Sequence, residues 1–227
     1  MAEILELARQ FLTDAVRGRE HAHETLHPWR RGWQFVILHS GRVENYALKI
    51  LEKAPHPLNA DEILTLRLAA ILHDVARLEG GADHARIGAG IVSEWLSSHP
   101  EIARQIPDAG HLLELIANHS QKSVNDGDFA SSVLKDADIL DEIGAMSIFM
   151  TANHLDRTSP FFFEDLSQRL KDFELAYCDK QMQKLQTAAA KEILAEKKKF
   201  IEDFIMQLDD ELFSGVQNLQ ILHPRTE

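Results

Sequence analysis

A single cysteine, Cys178, stands in the 227 residues. No disulfide can therefore form within the chain, and no cysteine-rich zinc site can be built from it. That scarcity fits a reducing compartment, and a cytoplasmic protein is expected. Basic residues are also in deficit: 24 Lys and Arg against 36 Asp and Glu leave a formal charge of -12. Such a balance argues against a broad nucleic-acid or anionic-membrane surface and leaves room only for a local basic pocket around a small anionic ligand. Long apolar runs are missing too. Stretches such as "AAIL" and "AMSIFM" cannot span a bilayer, and "MAEILELARQ" has neither the basic start nor the apolar centre of a secretory leader.

Strand-like alternation with a period of two is also lacking, whereas helical periodicity is plentiful. Ile4, Leu5, Leu7, Ala8, Phe11, Leu12, Ala15 and Val16 recur at the spacing of one helix face. A polar, His-rich connector, "GREHAHETLHPWRRG", leads to a second helix from about Trp33 to Lys53, which "PHPLN" ends. A third, from about Asp61 to Leu78, is apolar on most sides, as a centrally buried helix is. "EGGAD" stops it and offers Asp83 as N-cap of a fourth, with His84 in the first turn. Further helices are expected over about 108–120, 130–143, 145–155, 162–180 and 191–212. No internal repeat is visible, and the chain reads as a single all-α domain spanning 1–227. The last helix is amphipathic through Ile193, Leu194, Phe200, Ile201, Phe204, Ile205, Leu208 and Leu212. Packing within the chain is the favoured use of that face, and a homodimer contact is the alternative.

Against this helical background one stretch, "ILHDVARLEG", sets His73 beside Asp74 at the end of an apolar run. With 12 His and 17 Asp in the chain, about one such pair is expected by chance, so the pair alone proves nothing. Its neighbours decide. His39 shares a stripe with Val36, Val43, Ala47 and Ile50; His119 with Leu112, Leu115 and Ile116; and Asp138 with Leu134, Asp141 and Ala145. One inward histidine is ordinarily a hydrogen-bonded core residue. Several inward imidazoles and carboxylates from different helices must satisfy one another, because an unpartnered buried carboxylate costs several kcal/mol. A metal ion would do this, and nitrogen with carboxylate oxygen suits Mn, Fe, Co, Ni or Zn better than Mg.

The order His, His-Asp, His, His, Asp resembles the HD-domain superfamily of metal-dependent phosphohydrolases. "HSGRVENYALKIL" looks like that family's first-ligand helix, "AAILHDVAR" like its signature, "HARIGAGIV" and "IANHSQKS" like its additional histidines, and "LKDADILDEIGA" like its closing Asp motif. The stand-alone bacterial HD hydrolases are the most similar group, since their C-terminal helices resemble the stretch from "FEDLSQRL" to "IEDFIMQL" here. The resemblance covers about Trp33 to Leu212. It implies an HD-like helical bundle over 33–150 with additional C-terminal helices, 160–213, packed on it. It also implies His39, His73, Asp74 and Asp138 as ligands of a first ion, Asp138 being preferred to Asp136 because it matches the Asp of the "AD-x-L" pattern. His84 and His119 correspond to ligands of a second ion, with Asp74 bridging, so that one or two divalent ions are expected.

Basic residues follow three of these histidines on the same helix face: Arg42 three after His39, Arg77 four after His73, and Lys122 three after His119. They are the candidate substrate-binding group, for an anionic phosphate of nucleotide type. Asp74, Arg77 and Asp141 are the candidate catalytic group, with Asp141 placed to orient either the attacking water or a ligand histidine. Hydrolysis of a phosphoester or phosphoanhydride is thus the expected activity. A di-iron oxygenase built on the same ligand set, and a non-catalytic nucleotide-binding or signalling module, are the alternatives. His21, His23 and His27 are read as a solvated connector, the three tryptophans as packing residues, and His56, His99, His111, His154 and His223 as surface residues.

Overall fold

The computed structural model describes residues 2–21, 27–53, 55–79 and 81–213; His23 and His223 lie outside the described residues. All regular structure among the described residues is helical, apart from one isolated bridge between Glu20 and Gly32. Helices α1 (Ala2–Val16), α2 (Trp33–Lys53), α3 (Ala60–Leu72), α4 (His84–Ser98), α5 (Pro100–Ala103), α6 (Ala109–Asn118) and α7 (Phe129–Leu140) come first. They are followed by α8 (Ala145–Ala152), α9 (Phe162–Arg169), a π turn over Leu170–Glu174, α10 (Leu175–Met182) and α11 (Ala188–Phe213). The chain divides into two compact units. Of the described residues, the first takes those up to Asp141 together with Gln181–Leu194; the second takes Glu142–Lys180 and those from Ala195 to Phe213.

In the first unit α3 is central and packs against α1, α2, α6 and α7. Its position follows from its sequence: Leu64, Leu66, Leu68, Ala69, Ala70, Ile71 and Leu72 are buried on every side, and no polar stripe remains to face water. A capping box starts it. The Asn59 side chain accepts from the backbone of Asp61 and Glu62, while the Glu62 carboxylate accepts the Asn59 N–H at 2.8 Å. Buried charge ties its neighbours down. Glu44 of α2 accepts from Arg9 of α1 at 2.7 Å and from Arg67 of α3 at 2.9 Å, so one carboxylate pins three helices. Aromatic packing joins α1 to α4, where Phe11 stacks on Trp95 with ring centroids 4.2 Å apart.

Two local expectations are corrected. Helix α3 ends at Leu72, six residues before the expected Leu78, and the chain runs on through tight turns in which Val75, Arg77 and Glu79 donate to the carbonyls three residues back. A side chain accounts for the break: His73 Nδ1 takes the Ala70 carbonyl at 2.9 Å, the acceptor that the next α-helical N–H would use. Asp83 precedes α4 but makes no capping bond, because its carboxylate pairs with Arg86. The expected helix over 162–180 is continuous from Phe162 to Met182, with the π turn over Leu170–Glu174 between α9 and α10.

In the second unit α8 packs on α9 and on the π turn, and Leu166, Leu170, Cys178, Ile201 and Ile205 are buried. No described helix is long and apolar enough to cross a membrane.

Candidate metal centre

The end of α3 delivers His73 and Asp74 into the middle of the first unit, where α2 brings His39, the start of α4 brings His84, the end of α6 brings His119 and α7 brings Asp138 and Asp141. Gly88 lets α4 come this close, since a Cβ there would stand 3.3 Å from Val75 and 3.5 Å from the His73 carbonyl. The four histidines and Asp74 are all buried, and His73 is fully so.

Around Asp74 the polar atoms form two groups. Oδ2 lies 3.4 Å from His39 Nε2 and 3.7 Å from His73 Nε2, the two imidazole nitrogens are 3.2 Å apart, and Asp138 Oδ1 is 3.3 Å from His39 Nε2. Oδ1 lies 3.3 Å from His84 Nε2 and 3.4 Å from His119 Nε2, themselves 3.2 Å apart. An ion with bonds of about 2.1 Å to such atoms holds neighbouring ligands roughly 3.0 to 3.4 Å apart, so both groups have the spacing of a coordination shell. His39, His73 and Asp74 form one metal-compatible cluster, His73, His119 and Asp138 another, and Asp74, His84 and His119 a third.

Tautomers make the case sharper. His73 Nδ1 contacts the Ala70 carbonyl at 2.9 Å, His84 Nδ1 the Gly81 carbonyl at 2.9 Å, and His119 Nδ1 the Ile116 carbonyl at 2.7 Å. A carbonyl only accepts, so in each ring Nδ1 carries the proton and a neutral ring turns the Nε2 lone pair toward Asp74. Lone pairs then face a carboxylate oxygen, Asp74 Oδ1, that is buried and has no hydrogen-bond partner. An arrangement of acceptors against acceptors in a buried place is costly unless a cation lies among them. The donor set therefore fits a divalent ion held by nitrogen and carboxylate oxygen.

His39 is fixed differently. Its Nδ1 lies 2.7 Å from Asp141 Oδ2, and Asp141 is gripped by Arg42, whose Nε reaches Oδ1 at 2.6 Å and whose Nη2 reaches Oδ2 at 3.0 Å. Lys122 donates to Asp138 Oδ2, leaving Oδ1 toward His39. Arg77 stands apart from these pairings: Nη1 is 3.4 Å from His84 Nε2, Nε is 3.9 Å from Asp74 Oδ2, and the side chain is 44% exposed. Of the three basic residues singled out in the sequence, two are bound to carboxylates of the cluster and one leans over it toward solvent.

Protonation follows this geometry. Burial pushes His73 down to about 3 despite the pull of Asp74, and burial also lowers His84. Burial opposes charge on Asp74 and Asp138, yet the histidines around Asp74, and Lys122 with His39 beside Asp138, hold both carboxyls well below the usual range. His39 is likewise desolvated, but Asp138, Asp141 and Asp74 outweigh that and raise it well above 6.5. The centre thus keeps ionised carboxylates beside at least two neutral imidazoles, the protonation states in which each is a ligand.

Asp136, the rejected neighbour of Asp138, points elsewhere. Its carboxylate accepts from the backbone of Gln186 and Thr187 at 2.9 and 2.7 Å and from the Thr187 hydroxyl, and so caps the start of α11. The carbonyls of Ala70, Gly81 and Ile116 went unnoticed in the sequence, since a backbone acceptor carries no residue signature. Among the other conspicuous residues, His99 and His154 are exposed, whereas His111 is half-buried and bonds Asp128 at 2.6 Å.

Residues 36–146 match the family model of the HD domain. The chain thus carries an HD domain over those residues, and its described residues are all-α, as that domain is. Similar solved structures extend over nearly the whole chain. An HD-superfamily hydrolase from Bacillus thuringiensis is 24% identical, with a TM-score of 0.57 over 93% of this chain and 97% of its own. Bacillus subtilis YpgQ, solved in complex with ADP, is 19% identical, with a TM-score of 0.56 over 92% and 95%. A predicted HD-superfamily hydrolase from an uncultured Thermotogales bacterium is 20% identical, with a TM-score of 0.54 over 93% and 92%. A comparison with curated proteins gives no match.

Proposed function

We propose that the chain is a metal-dependent phosphohydrolase acting on a small phosphate ester or anhydride of nucleotide type. The observation that carries this reading is the buried Asp74 Oδ1, which has no hydrogen-bond partner and faces His84 Nε2 at 3.3 Å and His119 Nε2 at 3.4 Å. His39, His73, Asp74 and Asp138 would hold a first ion, and His84, His119 and the second oxygen of Asp74 another. A divalent ion in such a shell lowers the pKa of coordinated water and neutralises phosphate oxygens.

The chain's own residues supply the rest. Carbonyl-anchored Nδ1 atoms keep three imidazoles in one orientation with Nε2 unprotonated, so little rearrangement is needed on loading. Arg77, half-exposed beside Asp74 and His84, is the group that meets the substrate's negative charge and stabilises it as the phosphorus–oxygen bond breaks. Its place over the cluster favours a phosphate substrate over the oxygenase chemistry that the same ligand types can support. The ADP bound to the Bacillus subtilis relative supports a nucleotide as ligand class.

The experiment is metal analysis of the full chain, followed by a phosphate and pyrophosphate release screen across nucleotides with Mn, Co, Ni and Mg. Metal-dependent release is the expected result. Bound iron with dioxygen consumption and no phosphate release would move the assignment to an oxygenase, and a chain that binds no metal at all would leave a non-catalytic module.

A further inference from the structure

Arg42 is set on the same face of α2 as His39, one turn on, and the sequence pattern suggests a substrate contact. Its side chain is used otherwise. Both Nε and Nη2 are spent on Asp141, at 2.6 and 3.0 Å, in the two-pronged geometry that fixes a carboxylate's plane as well as its position. Asp141 needs such fixing. It follows the last residue of α7, with φ -64° and ψ 145°, so no helical neighbour on its own element determines where its carboxylate points. From there Oδ2 takes the Nδ1–H of His39. Three of the four histidines are held by carbonyls of their own chain segment three residues back; His39 alone relies on a side chain from 102 residues away. Its orientation is only as good as the hold on Asp141.

We propose that Arg42 is a positioning residue, which locks Asp141 so that His39 presents Nε2 to the first ion, and that it sets the affinity for that ion rather than recognising the substrate. The assignment rests on the metal-centre reading. It also makes the two ion positions unequal in a specific way: the Nδ1 atoms of His84 and His119 are held by backbone carbonyls and not by a carboxylate that Arg42 grips, so loss of Arg42 acts on one ion and spares the other. Removing an outer partner of a ligating histidine typically weakens metal affinity about 10- to 100-fold.

The test is a competitive chelator titration of Mn or Co on the full-length wild type, Arg42→Ala, Arg42→Lys, Asp141→Asn and the double variant, with circular dichroism of each. Asp141→Asn should bind the tighter ion about 10- to 100-fold more weakly, and Arg42→Ala, one contact further out, about 10-fold more weakly, the weaker ion being unchanged by Arg42→Ala. Arg42→Lys should recover part of the loss, because a point charge cannot hold both oxygens. In the Asp141→Asn background the Arg42→Ala change should add little, and with metal at saturation the substrate KM should stay near that of wild type. Wild-type affinity for the tighter ion in Arg42→Ala, together with a raised KM at saturating metal, would overturn the proposal and return Arg42 to substrate binding. Additive losses in the double variant would overturn it too. If Arg42→Ala fails to fold, Arg42→Lys at wild-type affinity overturns it equally. A wild type that binds no ion would instead sink the metal-centre reading.

Discussion

Replacing Arg77 by alanine separates substrate recognition from metal binding more cleanly than any other single change. The guanidinium is 44% exposed and touches the cluster only at 3.4 Å, to His84 Nε2, and at 3.9 Å, to Asp74 Oδ2. A surface-type contact of that length contributes well under about 1 kcal/mol to folding, so the melting temperature should scarcely move. The proposed contact to substrate would be the stronger one. A charge-assisted hydrogen bond is worth about 1.5 to 3 kcal/mol, and the exposure of this side chain puts it at the lower end. About 1.5 kcal/mol corresponds to roughly tenfold in kcat/KM. Arg77→Lys should regain part of that, because a single ammonium replaces a planar fork matched to phosphate oxygens. The assay is phosphate release under saturating Mn, with metal content measured on the same preparation. Unchanged release in Arg77→Ala would refute the reasoning, and so would loss of the ion, which would make Arg77 a brace of Asp74.

Asp74→Ala should abolish both ion binding and hydrolysis while far-ultraviolet circular dichroism keeps its helical signal; activity in the folded variant would end the assignment of Asp74 as the bridge. Wild type should take up two ions of unequal affinity, and His84→Ala should lose the weaker; a single ion, unaffected by His84→Ala, would leave His84 as a helix-start residue. Asp126 tests the fold instead. Lys135 is buried, with its ammonium on Asp126 at 2.9 Å and on the Val124 carbonyl at 2.9 Å. Burial opposes ionisation of Asp126, but Lys135 and Ser131 hold it down at about 2. A depressed carboxyl stabilises above its unfolded value of roughly 4 and loses that contribution as pH falls toward 2. Asp126→Asn should therefore cost about 1 to 3 kcal/mol near neutral pH and flatten the urea midpoint between pH 4 and 2; a variant as acid-sensitive as wild type would show that the pair does not govern that window.

The convergence of these side chains was partly legible because His39, His119 and Asp138 lie on apolar stripes of their own helices, whereas His84 could be placed only at a helix start. His39 with Val36 and Val43, or His119 with Leu115 and Ile116, can only point inward. Where two neighbours competed, as Asp136 and Asp138 do one residue on either side of Ala137, helix periodicity did not choose; the motif did, and Asp136 turned out to cap α11. The boundary of α3 was hidden for a different reason. Leu68 to Leu78 keeps a helical pattern, and what ends the helix is the His73 side chain taking a backbone carbonyl, a competition between hydrogen bonds that the apolar spacing cannot express. Arg42 shows the same limit from the other side. Its place one turn from His39 was plain, but its partner Asp141 is 99 residues away, and only tertiary structure says which anion a guanidinium will meet.

The most direct test of the account is a crystal of the full chain soaked in Mn, with anomalous difference density collected at the manganese edge. The account predicts a peak about 2.1 Å from His39 Nε2, His73 Nε2, Asp74 Oδ2 and Asp138 Oδ1, with a second, weaker peak at comparable distance from Asp74 Oδ1, His84 Nε2 and His119 Nε2. No anomalous peak among these atoms, or manganese bound only elsewhere on the chain, would contradict it.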